Sequence, residues 1–196
     1  MSLVALRRLD RLLLAVSALP LGFALGCCEQ QALPAPGTLE IADGGRVTVI
    51  DIVKGDELVV EVGRGQARVR LVGLHAFDPR SPDPALGALG EVASQAVRAR
   101  LVGKPIVVHL EHPPRDTYGR YLAYAEQDGT DVNRALLDLG LAMLYDEYPF
   151  GREALYRQVE QAARARQLGL WVKPNAVAVA DGLKRQWAEA RTRHTK

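Results

Sequence analysis

Apolar and polar side chains alternate from Gln66 to Leu74, with Ala67, Val69 and Leu71 on one side and Arg68 and Arg70 on the other. A two-residue period of this kind predicts a strand with one buried face. Two β-branched runs precede it, Arg46–Val53 and Glu57–Val62, and each predicts a strand. Gly63-Arg64-Gly65, between the second and third runs, reads as a hairpin turn, because no helix follows to complete a phosphate-binding loop. Ile106, Val108 and Leu110 alternate within a fourth strand, Pro105–Glu111, and Arg120–Ala125 is a fifth, followed by the turn signal Asp128-Gly129. Elsewhere the period is helical. Val92, Ala93, Ala96, Val97 and Leu101 predict a helix over Gly90–Val102, stopped by Gly103. Val132–Leu139 predicts a short helix ending at Gly140, and Arg152–Leu168 a longer one, with Leu155, Val159, Ala162 and Ala163 as its buried stripe and Gly169 as its stop. Pro79, Pro82 and Pro84 mark a loop, and Trp171 is expected to plug the core.

Five short strands with a helix between the third and fourth follow the order of an OB barrel. The expected fold is therefore α+β: a five-stranded OB-fold β-barrel with three packed helices, spanning residues 46–171. Such barrels often bind oligonucleotides, but a fold does not by itself decide a function. Residues 27–45, with Pro34, Pro36, Gly37, Gly44 and Gly45 and no sustained period, read as a flexible linker. Residues 172–196 read as a basic, partly helical tail in which Trp187 is a packing anchor.

The first 26 residues change the picture of where the domain works. Arg7, Arg8 and Arg11 precede an uncharged apolar run, Leu12–Gly26, of 15 residues that includes Pro20. That is shorter than the ~20 residues needed to span a bilayer, so a cleaved signal peptide is the expectation. Cys27 and Cys28 are the only cysteines, and adjacent cysteines rarely bridge. Ala24-Leu25-Gly26-Cys27 resembles a bacterial lipoprotein processing site, which would make Cys27 a lipidated N-terminus tethered to a membrane surface. The expected location is the bacterial periplasm or cell envelope. Charge adds little: removing residues 1–26 takes away three arginines and Asp10, leaving 22 basic and 22 acidic side chains. Bulk charge therefore gives no argument for nucleic-acid binding. Residues 173–196 alone carry six basic and two acidic side chains.

Candidate chemistry concentrates in three segments: Gly55-Asp56, Arg70-Leu71 running into His75-Ala76-Phe77-Asp78, and Asp116-Thr117-Tyr118-Gly119-Arg120-Tyr121-Leu122-Ala123-Tyr124. With Val132-Asn133, Leu136, Gly140-Leu141-Ala142 and Gly169-Leu170-Trp171 in matching order, the stretch from Arg46 to Trp171 resembles the staphylococcal nuclease (thermonuclease) family. The resemblance implies a phosphodiesterase acting on DNA or RNA, usually with calcium. It implies that Arg70 and Arg120 grip the phosphate and that Asp78 positions water. Asp56, Asp78 and the Ala76 carbonyl would hold the cation, with His75 among the candidate ligands. Asp116, Tyr118, Tyr145 and Tyr148 would lie near the nucleotide. The physics suits those roles, because planar guanidinium forks donate paired hydrogen bonds to phosphoryl oxygens that gain charge in the transition state. Arg68 reads as a solvated outer-face residue. A monomer is the expected state.

Two carboxylates of the family pattern are missing. Lys54 stands where the family has the first aspartate of its turn, His75 stands where it has another, and Asp78 is one methylene shorter than the family's glutamate. Calcium takes six to eight oxygen ligands, and two carboxylates beside a lysine make a poor site for it. Three outcomes follow: His75 selects a transition metal, Lys54 itself supplies positive charge, or the site no longer cuts. A displaced water-positioning carboxylate costs on the order of 100-fold in rate. The first reading is thus an exported nuclease. The second is a catalytically degraded OB-fold module that binds nucleic acid or protein.

Overall fold

The computed structural model describes residues 40–194, and the expected signal segment, Cys27 and the linker up to residue 39 lie outside the described residues. In chain order the elements are β1 (Gly45–Lys54), β2 (Glu57–Val62), β3 (Gly65–Leu71), the two-residue β4 (Leu74–His75), α1 (Pro84–Leu101), β5 (Pro105–Arg115), β6 (Tyr121–Gln127), β7 (Thr130–Asp131), α2 (Val132–Asp138), β8 (Met143–Leu144), α3 (Glu153–Ala165), a 3-10 turn Gly169–Val172 and α4 (Pro174–His194). The sheet runs β3-β2-β1-β5-β6 and closes because β3 also pairs in parallel with β6, Val69 opposite Tyr121 and Leu71 opposite Ala123. Closure leaves the barrel without a free edge. Inward positions fill it: Leu58, Val60, Val69, Leu71, Ile106 and Val108 are at most 1% exposed.

Several boundaries move for identifiable reasons. The helix expected from Gly90 starts at Pro84, because Asp83 caps it, its carboxylate accepting from the Ala85 and Leu86 amides at 2.8 and 3.3 Å. Proline is favoured in a first helical turn, so Pro84, a loop residue by its sequence signal, opens the helix. The strand expected to reach Leu74 ends at Leu71, and Leu74-His75 pairs instead with Met143-Leu144 outside the barrel. The basic tail is helical over Pro174–His194, a fourth α-helix beside the three expected.

Two recurring motifs have structural causes. Asn133 is fully buried at the barrel seam, donating to the Val72 and Ala123 carbonyls at 3.0 and 3.2 Å and accepting from the Ala125 amide at 3.0 Å. It satisfies main-chain groups where β3 meets β6 and so pins α2 there. Gly140 and Gly169 both have positive φ and lie main chain against main chain, with the Leu170 amide bonded to the Gly140 carbonyl at 2.9 Å. A Cβ on either would overlap the other's segment.

A second apolar cluster joins Phe77, Met143, Leu170 and Trp171 to Ala176, Ala180 and Trp187 of α4. Charges clamp the same helix: Lys184 Nζ lies 2.7 Å from Glu160 and 3.1 Å from the Leu144 carbonyl, and Arg191 bonds Glu153 and the Asp146 carbonyl, each at 2.9 Å. Part of the tail's basic charge is therefore spent inside the fold. Among the described residues no helix is long and apolar enough to cross a membrane.

Candidate active site

The tight turn between β1 and β2 presents Asp56. Gly55 lets this turn sit on α1 and on Ala76 just after β4, since a Cβ there would come within 2.9 Å of Ala93 and 3.0 Å of Ala76. Asp56 is fully buried. One carboxylate oxygen is ion-paired with Arg70 and accepts from the Ala76 amide at 2.9 Å. The other, Oδ1, faces Lys54 Nζ at 3.3 Å and accepts no hydrogen bond from the protein. Burial pushes the Asp56 pKa up, but Arg70, Lys54 and the Ala76 amide outweigh it and hold the carboxyl below its ordinary value. Arg70 also donates to the Asp56 carbonyl at 3.3 Å and to the Leu74 carbonyl at 2.6 Å.

Arg120 is organised by a second buried carboxylate. Its Nη1 donates to Glu57 at 2.9 Å, and its Nε and Nη2 each meet Asp116 at 2.7 Å. Asp116 also accepts from the Tyr118 and Arg120 amides at 2.9 and 3.0 Å, so it shapes the loop that aims Arg120. Glu57 is ion-paired with Arg68 as well. Arg120 lies 5.4 Å from the Tyr118 ring, which is 83% exposed. Gln66, Arg68, Arg115, Tyr118 and Arg120 line an open groove of about 390 Å³.

The two arginine sites share a seam. Asp56 and Glu57 are consecutive, and Glu57 lies directly opposite Arg70 across the β2–β3 pair. Residues opposed in this way have Cβ atoms about 5 Å apart on one face. Arg120 precedes Leu122 by two residues, and Leu122 is the register partner of Arg70 in the closing pair. Arg70 and Arg120 are thus held to neighbouring carboxylates on the outer face of the barrel where it closes.

The remaining expected residues lie in different settings. Asp78 is fastened to Arg80 in its own loop, through contacts of 3.2 and 3.3 Å, and its side chain is 43% exposed. Those bonds to Arg80 hold its pKa below the usual range. His75 packs edge-on against Phe77 at 6.2 Å and Trp187 at 5.3 Å. Burial, aided by Lys54 and Arg70 and opposed by Asp56, lowers its pKa to about 4, so the ring is neutral at pH 7. Tyr145 has its ring 6.0 Å from the Arg70 guanidinium and 4.8 Å from Trp187, and its hydroxyl donates to Glu147 at 2.9 Å. Burial raises its pKa. Tyr148 is half exposed, 6.4 Å from Tyr145.

These donors do not suit calcium. Asp56 offers one oxygen that accepts no hydrogen bond, and an ammonium faces it at 3.3 Å. His75 is turned onto an indole, and Asp78 is held by Arg80. Among the described residues no three His, Cys, Asp or Glu side chains gather where one metal ion could be held. Calcium needs six to eight oxygens.

Sequence reasoning missed Glu57, and with it the ion pair that Arg68, read as a solvated outer-face residue, makes with Glu57. Glu57 was within reach of it. The two-residue Gly63-Arg64 turn pairs Val62 with Gly65, and counting back along both strands puts Glu57 opposite Arg70. Trp187 was seen as an anchor, but no sequence signal says what it anchors against.

The family described as staphylococcal nuclease homologue matches residues 68–173. A protein of Shigella flexneri named micrococcal nuclease is 31% identical over 142 residues, covering 67% of this chain and 76% of that protein. Protein ParB of Escherichia coli is 30% identical over 141 residues, covering 67% of this chain and 75% of its own. The thermonuclease of Staphylococcus intermedius is 26% identical over 121 residues, 61% of this chain and 72% of that one.

Proposed function

We propose, from the premise that the chain belongs to the family of staphylococcal nuclease homologues, that it hydrolyses phosphodiester bonds of DNA or RNA. The observation that carries this reading is the pairing of Arg70 and Arg120 with consecutive buried carboxylates, Asp56 and Glu57, at one barrel seam. A phosphate arriving there exchanges for the carboxylates as a hydrogen-bond partner of the two guanidiniums. Water attacks phosphorus, the ester P–O bond breaks, and the leaving oxygen takes up a proton. Charge gathers on the phosphoryl oxygens as this happens, and preoriented guanidinium donors stabilise it. Asp78 takes the water-positioning role once it swings away from Arg80. Tyr118, exposed at the lip of the groove, offers a face on which a base can stack. Incubation with single-stranded DNA and RNA tests the reading. Substrate should be degraded by the native protein and spared by Arg120→Ala; an Arg120→Ala protein that cuts at the native rate would defeat it.

The Asp78–Arg80 pairing favours a second reading, a module that binds the strand without cutting it. Asp78→Asn separates the two. A nuclease loses turnover and keeps affinity, whereas a binding module shows no turnover to lose. We also propose that the domain acts outside the cytoplasm, tethered through a lipidated Cys27. Cys27→Ala should release it from the membrane fraction of cells, and unchanged fractionation would remove the tether.

A further inference from the structure

The poor fit of calcium raises the question of what balances charge in the site. Asp56 carries two cations, one on each carboxylate oxygen: Arg70 on Oδ2 and Lys54 on Oδ1. Both cations therefore meet one carboxylate, one at each of its oxygens, and a phosphate, which also presents several oxygens on one centre, can meet them in the same way. The Lys54 side chain remains 21% exposed while Asp56 is sealed, so the ammonium sits between a buried anion and solvent. An ammonium has three donors, and Lys54 meets Asp56 Oδ1 through charge at 3.3 Å, not through a hydrogen bond. The charge of Lys54 acts on Asp56 and Asp78, to which the resemblance gives a metal, and on His75, which stands where the family has an aspartate. His75 packs against Trp187 of α4, a helix beyond the matched residues 68–173.

We infer that Lys54 is a built-in cation: its ammonium, held on Asp56 beside Arg70, contacts the phosphate of a bound strand and stands in for a divalent ion. This rests on the phosphodiester reading given above. A tethered ammonium has no ligands to exchange and is not removed by chelators. Binding and cleavage are then indifferent to EDTA and to added calcium. Replacing Lys54 with aspartate, together with His75→Asp, restores two carboxylates beside Asp56 and creates a calcium requirement.

The test uses the whole folded protein and three measurements: anisotropy of a fluorescent single-stranded oligonucleotide, its cleavage, and calcium titration followed by calorimetry and Tm. For the native protein, affinity and rate should differ less than about twofold between EDTA and calcium, and calcium should leave Tm unchanged, as linkage requires for an ion that does not bind. Lys54→Ala should weaken oligonucleotide binding about 10-fold and cleavage about 100-fold, while Lys54→Arg keeps most of both. The Lys54→Asp/His75→Asp protein should bind calcium and gain Tm with it. Calcium heat or a calcium-dependent Tm in the native protein overturns the inference. So does loss of native binding in EDTA, or a Lys54→Ala protein with native affinity. If the native protein cuts nothing under any condition, the hydrolytic reading falls on its own, and calorimetry and anisotropy still decide the role of Lys54.

Discussion

The site consists of two halves assembled from the same parts and finished differently. In each, a buried carboxylate is shared by two cations: Asp56 by Arg70 and Lys54, Glu57 by Arg120 and Arg68. The Asp56 half is roofed by Tyr145 and Trp187, and the Arg70 side chain is only 12% exposed. The Glu57 half opens onto the groove, with Arg68 54% exposed. Removing one partner of a buried pair strands the other charge, whereas an exposed cation can rehydrate. The difference teaches that a lost partner should cost more in the roofed half than in the open one.

The largest effect expected from this contrast is on stability. Asp56→Ala should cost about 3–5 kcal/mol in urea unfolding, because Arg70 loses its partner under the roof. Glu57→Ala should cost about 1–3 kcal/mol, since Arg68 and Arg120 can turn to water. Equal costs would break the comparison. Activity comes next: Arg120→Ala should reduce cleavage at least about 100-fold, roughly 2.7 kcal/mol, measured by initial rates at a temperature where thermal melts show the variant folded.

Acid should then distinguish the halves. His75, beside Trp187, has a folded pKa of about 4 against an ordinary 6.5. The folded state is the poorer proton acceptor, so the stability from its neutral form is full above pH 6.5 and is lost as pH falls from 6.5 toward 4. The loss is about 2 kcal/mol once partial exposure of the ring is allowed for. Asp56 adds to the loss at still lower pH, as its depressed pKa is passed. His75→Leu should flatten the unfolding free energy over pH 4–6.5, and a slope unchanged by that substitution would move the effect elsewhere. The smallest effect belongs to the groove lip. Tyr118→Ala should weaken oligonucleotide binding about 10-fold by loss of one stacking platform and leave stability unaltered, as checked by anisotropy and melts.

Much of this architecture was legible from periodicity. The strands that build the barrel alternate cleanly because one face is buried and the other wet, and the Asp116–Arg120 loop announced an arginine with its own carboxylate. The early start of α1 was hidden because Pro84 signals loop and helix N-terminus equally well, and only the Asp83 cap decides. Arg68 looked like a solvated outer residue, and its place beside Arg120 depends on Glu57 reaching between strands.

The amino-acid order alone determined the barrel, the two arginines and the loss of two carboxylates, because short-range period, turn chemistry and residue identity are local properties. Folding decided what those residues are joined to. Asp78 went to Arg80, His75 to the indole of Trp187 more than one hundred positions away, and the two oxygens of Asp56 to Lys54 and Arg70. The long-range partnerships among these, His75 with Trp187 and Asp56 with Arg70, depend on distances through the folded domain, and charge energies depend on distance and burial, neither of which is written along the chain.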